Sequence, residues 1–407
     1  MPSPDDPLHA LNQSLEDLIT PEYWKSLCPN LTVSRSLPQT STPLTEPPGN
    51  SIRDRVLRDG FTPLEGTTTP TTGVTPGTGL GAPIPWSINL AHLVTGIQTL
   101  AEHGWPAWYI AMYDETWLLG HEISDVVFRA TGNLPSLDFL AWHVDPREGQ
   151  TGFSPHRDRQ PADPPSTFRA DGTARYTTVW VALTDAVPQN SCLYVIPAPF
   201  DPFYIKGDDL SADANDPLSV LTPTARDYQH IRAVPLRAGA ALLFTHRLVH
   251  WAGRGDSLHP TPRVSLAWVF TDPGYEPPCF GLENLPLPPV HLRAALACGQ
   301  SVVYRKRFKT GEMAEPYAAK IRAEYQWAEW ERKTEGAGGE APAGTPTKQK
   351  PERAAGKGRK RSKAARRAAV ETVVDEIISP HPVEGLETGL MGLMFGGDIS
   401  DLSDLEV

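Results

Sequence analysis

Five short runs at 137–144, 176–183, 192–196, 240–244 and 264–270 constrain this chain most: each is rich in Val, Leu, Ile, Phe, Tyr or Trp and bounded by Pro, Gly or Asp. Such runs read as strands. The 42 prolines and 33 glycines among 407 residues agree, being too many for a mainly helical protein. Before the strands, Leu90, Leu93, Val94, Ile97 and Leu100 recur at helical spacing, and 115–130 does the same. After residue 289 the helical pattern returns over 292–308 and 312–333. Residues 34–50 and 62–86, rich in Pro, Thr, Ser and Gly, read as loops or extended arms around a short helix at 51–59. The expectation is one core, mainly β with flanking helices (α+β), spanning 85–334 after an N-terminal arm at 1–84.

Net charge is −11, which disfavours nucleic acid as a partner of the core. Two opposed blocks near the C-terminus cancel in that total. Ten Lys and Arg face a single acid, Glu352, between Lys348 and Arg367, whereas nine acids and no Lys or Arg follow from Val370 onward. Residues 335–369 hold no aromatic side chain, so 335–407 is expected to be a disordered tail, unable to bury enough apolar surface to offset backbone ordering. Nonspecific nucleic-acid contact or nuclear targeting would fall to the basic block, and a protein partner to the acidic one. Cys28, Cys192, Cys279 and Cys298 are scattered without zinc or disulfide spacing. No signal-like segment opens the chain and no apolar run reaches membrane length, so an intracellular protein, cytoplasmic or nuclear, with no membrane partner is expected.

The chemistry concentrates in two places. In GFSPHRDRQP, His156 and Asp158 stand two apart, and on extended backbone such side chains share a face. A third ligand is available in His250, after the apolar run of GAALLFTHRLVHWAG. Two imidazoles and one carboxylate leave open positions on an octahedral metal, an arrangement suited to non-haem iron(II) with a bidentate 2-oxo acid and O2. In PRVSLAWVF, Arg263 and Ser265 open a buried strand, where a guanidinium can hold a carboxylate with two parallel bonds and the hydroxyl can add a third.

These stretches, PHRDR at 155–159, TTVWVALTDAVPQNSCLYVIP at 177–197, GAALLFTHRLVHWAG at 239–253 and PRVSLAWVF at 262–270, together resemble the phytanoyl-CoA dioxygenase-like superfamily of iron(II)/2-oxoglutarate oxygenases. The likeness covers about 85–310. It implies a double-stranded β-helix (jelly-roll) core, iron on His156, Asp158 and His250, and 2-oxoglutarate on Arg263 and Ser265 with Trp180 lining its pocket. It also implies oxidation of a small organic substrate with release of succinate and CO2. Related halogenases lack the carboxylate that Asp158 supplies, so hydroxylation or a related oxidation is expected. Ser191 stands where the family usually has Gly.

Competing readings of the same residues exist. His143 and Asp145 form a second HxD pair, but Asp145 precedes Pro146, where a carboxylate organises a turn. His246 precedes His250 by four, and only the resemblance makes His250 the ligand. A cupin-type metalloenzyme would use the triad without an oxo acid, which Arg263 and Ser265 argue against. A catalytically inert jelly-roll acting as a nuclear interaction protein would rest on the charged tail alone.

Overall fold

The computed structural model describes residues 20–34, 51–64, 84–159, 164–207, 217–272, 274–275, 287–288 and 290–303. The tail at 335–407 and the helix expected over 312–333 lie outside them. The helices are α1 (Pro21–Leu27), α2 (Ser51–Asp59), α3 (Leu90–Glu102), α4 (Asp114–Thr131), α5 (Pro217–Leu221) and α6 (Val290–Val303). Eight strands are described: β1 (Phe61–Leu64), β2 (Leu134–Val144), β3 (Tyr176–Ala182), β4 (Leu193–Ile196), β5 (Arg232–Val234), β6 (Ala241–Thr245), β7 (Val249–Ala252) and β8 (Arg263–Thr271). Thr20–Pro288 forms one compact unit, and α6 belongs to another. No described helix is long and apolar enough to cross a membrane. Cys28, Cys192 and Cys298 are buried.

Two antiparallel sheets build the first unit. The larger runs β1-β6-β3-β8-β2 and the smaller β5-β4-β7. Trp180, Leu242 and Phe244 of the large sheet meet Leu193, Val195 and Val234 of the small one in a shared apolar core, the arrangement of a jelly-roll. The outer face of the large sheet is covered by α4, where Phe139 and Trp268 lie 5.7 Å apart by ring centroid and Trp117 packs 6.0 Å from Phe139. Gly120 makes that approach close: a Cβ there would lie 3.1 Å from the Trp268 ring. Asp114 and Glu115 put negative charge in the first turn of α4, and Gly132 ends it in the left-handed region at φ 76°.

All five expected runs are strands, but the sequence missed three more. Phe61–Leu64 falls partly within the segment read as loop, because Pro63 argues against a strand. As the outermost strand β1 pairs with β6 alone, and an edge tolerates a residue without an N–H. The run at 239–253 is two strands rather than one. The chain leaves the large sheet at Thr245, turns through a Leu248 N–H donated to the Thr245 carbonyl at 3.1 Å, and enters the small sheet as β7.

The turn from β3 to β4 makes the same crossing. Asn190 ties it together: its Oδ1 accepts from Val187 N–H at 2.7 Å and its Nδ2 donates to the Asp185 carbonyl at 2.7 Å. Ser191 follows at φ 74°, the one described non-glycine residue in the left-handed region, and it is fully buried. Its Cβ bears a strain that glycine would not. Ser191→Gly is expected to stabilise the protein by about 1 kcal/mol. Chemical denaturation should show the midpoint rising, and an unchanged or lower midpoint would mean the turn is not strained.

Candidate metal centre

His156 and His250 face each other across an isolated antiparallel bridge in which each backbone N–H donates to the other's carbonyl at 3.0 Å. The segment carrying His156 thereby lies beside β7. Their ring centroids are 4.3 Å apart. Each imidazole directs Nδ1 at a nearby carbonyl, His156 at Ser154 O (2.7 Å) and His250 at Leu248 O (3.0 Å). A carbonyl only accepts, so both Nδ1 atoms carry the proton and both Nε2 lone pairs are left to point inward. Asp158 Oδ1 lies 3.4 Å from His250 Nε2 and 3.7 Å from His156 Nε2. Its other oxygen, Oδ2, accepts from the Thr178 hydroxyl at 2.6 Å.

Donors in neighbouring positions on a first-row metal, with bonds near 2.1 Å, stand about 3 Å apart, so the two carboxylate–imidazole separations of 3.4 and 3.7 Å would have to shorten on binding an ion. One ligand atom from each of His156, Asp158 and His250 lies within 4.8 Å of the others, and this is the one such group among the described residues. Burial pushes the Asp158 carboxyl up, but the two imidazoles and the Thr178 hydroxyl outweigh it and hold the group below the ordinary carboxylate range. The set is graded in exposure, with His250 at 7%, Asp158 at 18% and His156 at 30% of side-chain surface, so one side of the triad opens outward.

Between His156 and Asp158, Arg157 points the other way. Its guanidinium makes a fully buried two-pronged ion pair with Asp201, at 2.5 and 3.1 Å, and also donates to the Arg247 carbonyl. Arg247, itself buried, donates to the carbonyls of Tyr204, Phe203 and Arg159. Two arginines thus fasten the segment at 156–159 to the β6–β7 turn and to the loop after β4. Nothing in the local sequence announces a pairing between residues 44 apart.

Arg263 begins β8, is 2% exposed, and donates from Nη1 to Ser265 Oγ at 3.1 Å. Its guanidinium carbon lies 5.5 Å from the Trp180 ring centroid. Trp180 and Thr178 alternate along β3 on one face, so the arginine and Asp158 contact neighbouring same-face residues of that strand. Gly152 admits this packing. A Cβ on it would lie 2.0 Å from Ala252 Cβ and 3.2 Å from Arg263 Nη2.

The rival residues are otherwise engaged. Asp145 accepts from Arg147 N–H at 3.0 Å and pairs with the Arg147 guanidinium at 2.5 Å, capping the short helical turn that begins at Pro146. His246 has both nitrogens bonded, Nδ1 to the Tyr176 carbonyl at 3.0 Å and Nε2 to Thr167 Oγ1 at 2.8 Å. Burial pushes its pKa down to about 3, so it is a neutral core histidine.

Residues 119–263 match the family described as phytanoyl-CoA dioxygenase (PhyH). The chain carries a phytanoyl-CoA dioxygenase-like domain. That makes the protein an iron(II)- and 2-oxoglutarate-dependent oxygenase, and the donor set suits both groups: three inward-facing N and O donors for the metal, a buried guanidinium for a dicarboxylate. No curated protein matches the chain. Solved structures similar to the oxygenase include the "non-heme alpha ketoglutarate dependent epimerase SnoN from nogalamycin biosynthesis", 19% identical over 54% of this chain and 79% of that one, TM-score 0.34. The carbocyclase SnoK from the same biosynthesis is 18% identical over 58% and 87%, TM-score 0.38. AviO1 from Streptomyces viridochromogenes Tue57 is 17% identical over 55% and 94%, TM-score 0.38.

Proposed function

We propose that His156 Nε2, Asp158 Oδ1 and His250 Nε2 hold the iron, that Arg263 with Ser265 and Trp180 holds 2-oxoglutarate, and that the enzyme hydroxylates or otherwise oxidises a small organic substrate. The observation that carries this reading is the convergence of the three donors, with both imidazoles oriented by carbonyls behind them. Iron(II) bound there supplies O2 activation, coupled to conversion of 2-oxoglutarate to succinate and CO2.

The protein's own part is positioning. The Thr178 hydroxyl donates to Asp158 Oδ2, so Oδ1 is the carboxylate oxygen left to hold iron(II) when it binds. Ser265 fixes the Arg263 guanidinium, and the Trp180 face beside it excludes water and accepts the positive charge. A planar guanidinium grips a terminal carboxylate with two parallel bonds, whereas a lysine ammonium at the same place can offer only a point charge.

Arg263→Lys is therefore expected to weaken 2-oxoglutarate binding roughly ten- to a hundredfold, the equivalent of about 1.5–3 kcal/mol, while iron binding survives. Arg263→Ala should cost more. Anaerobic titration of 2-oxoglutarate into the iron-loaded protein measures both. Equal affinity in wild type and variants would make Arg263 a structural residue and remove the co-substrate assignment.

A further inference from the structure

Three alternating residues of β3 each hold one charged group, in order along the strand. Trp180 lies against Arg263, Thr178 bonds Asp158, and Tyr176 has the Arg159 guanidinium carbon 4.7 Å from its ring centroid. Alternate residues of a strand share a face, so the three β3 residues that hold these groups stand about 7 Å apart along the backbone, with the partner of Asp158 in the middle. The co-substrate arginine lies to one side of it. To the other lies Arg159, which also donates from Nη1 to the Asp158 carbonyl at 3.3 Å and whose charge helps hold the Asp158 carboxyl down.

Arg159 has an acidic neighbour on the same inner surface. Asp138 of β2 lies 3.8 Å from Arg159 Nη2. Phe139, next along β2, packs outward on Trp268, while Trp142 packs 4.5 Å from Phe153, which in turn lies 5.5 Å from the His156 ring. Residues 140 and 142 therefore face inward, and the contact with Arg159 puts Asp138 on the same side. A Ser136 hydroxyl, donated to the Val269 carbonyl at 3.0 Å and accepting Asp138 N–H at 3.1 Å, fixes the strand irregularity from which Asp138 projects.

Exposure separates this pair from Arg263. Arg159 keeps 23% and Asp138 32% of side-chain surface, and the neighbouring inward residues Leu140 and Ala267 are half-buried. On the side of Asp158 away from Arg263, one positive and one negative side chain therefore keep part of their surface accessible.

Resting on the oxygenase reading above, we infer that Asp138 and Arg159 form the polar wall of the substrate site and select a molecule that is neutral overall. Such a molecule presents a hydrogen-bond donor and an acceptor on neighbouring atoms, as a zwitterion or a vicinal diol does. Arg159 donates to the acceptor and Asp138 accepts from the donor. A net anion would meet the Asp138 carboxylate and a net cation would meet Arg159. An acyl chain would strip water from both groups and return no hydrogen bond.

The test uses full-length iron(II)-loaded protein and follows succinate formation from 2-oxoglutarate, first alone and then with each of three probes: a zwitterionic amino acid with a neutral side chain, a neutral methyl glycoside and hexadecanoyl-CoA. Expected is stimulation by the amino acid or the glycoside, with a matching mass change in the probe, and none by the acyl thioester. The ratio of stimulated to unstimulated turnover should fall roughly tenfold or more in Asp138→Asn and in Arg159→Gln. Asp138 is exposed enough for its variant to fold, and thermal unfolding checks both. Stimulation by hexadecanoyl-CoA, stimulation by neither neutral probe, or wild-type ratios in Asp138→Asn would each overturn the inference. Failure of the wild type to form succinate at all would instead sink the oxygenase assignment.

Discussion

Asp201→Ala is expected to lower the thermal midpoint by roughly 6–20 °C. The removed carboxylate is the partner of Arg157, and both side chains are fully buried, so the guanidinium would be left as an uncompensated interior charge. Breaking such a pair from one side costs about 3–5 kcal/mol, and each kcal/mol is worth roughly 2–4 °C in a domain of this size. Asp201 Oδ1 also accepts from Phe203 N–H at 2.9 Å, so the loop after β4 loses an anchor too. Iron affinity should fall in the same variant, because Arg157 lies between His156 and Asp158 and holds that segment against the β6–β7 turn. Replacing both partners by leucine and methionine should recover much of the stability. A single variant that melts like wild type would show that the pair is not the anchor described.

His250→Ala should bring iron-dependent formation of succinate down to background, whereas His143→Ala should leave most of it. His250 supplies one of three convergent donors, and no described residue is placed to substitute for it. His143 lies on β2 opposite Val264, and burial holds its pKa below the ordinary value, so it is neutral and outside the triad. The comparison discriminates between the two HxD pairs of the sequence. Loss of turnover in the His143 variant and its survival in the His250 variant would reverse the assignment.

Strand positions and donor types were legible because they depend on local pattern: apolar runs between turn residues, a two-residue ligand spacing, an arginine opening a buried strand. The choice between His246 and His250 was not, since both follow the same apolar run. His246 is engaged by two hydrogen bonds, donating from Nδ1 to the Tyr176 carbonyl and pairing through Nε2 with the Thr167 hydroxyl, and neither partner is near in sequence. Three strands escaped notice for their own reasons. β5 is three residues long with two exposed, β1 contains a proline, and β7 hides inside what reads as the end of β6. Thr178 looks like any threonine in a strand until the register places it beside Asp158. Arg157 and Asp201 are individually ordinary surface residue types, and their joint burial is a tertiary fact.

The three donors do not belong to one sheet. His156 and His250 are bridged beside β7 of the small sheet, while Asp158 is tied through Thr178 to β3 of the large one. On the assignment proposed above, the ion is then a removable staple between the two halves of the barrel. It closes a loop of roughly 90 residues between Asp158 and His250, and by loop-closure entropy such long loops are where a cross-link restricts the unfolded chain most. The lifetime of the folded protein would follow the supply of metal, and starvation for iron would withdraw the enzyme along with its activity.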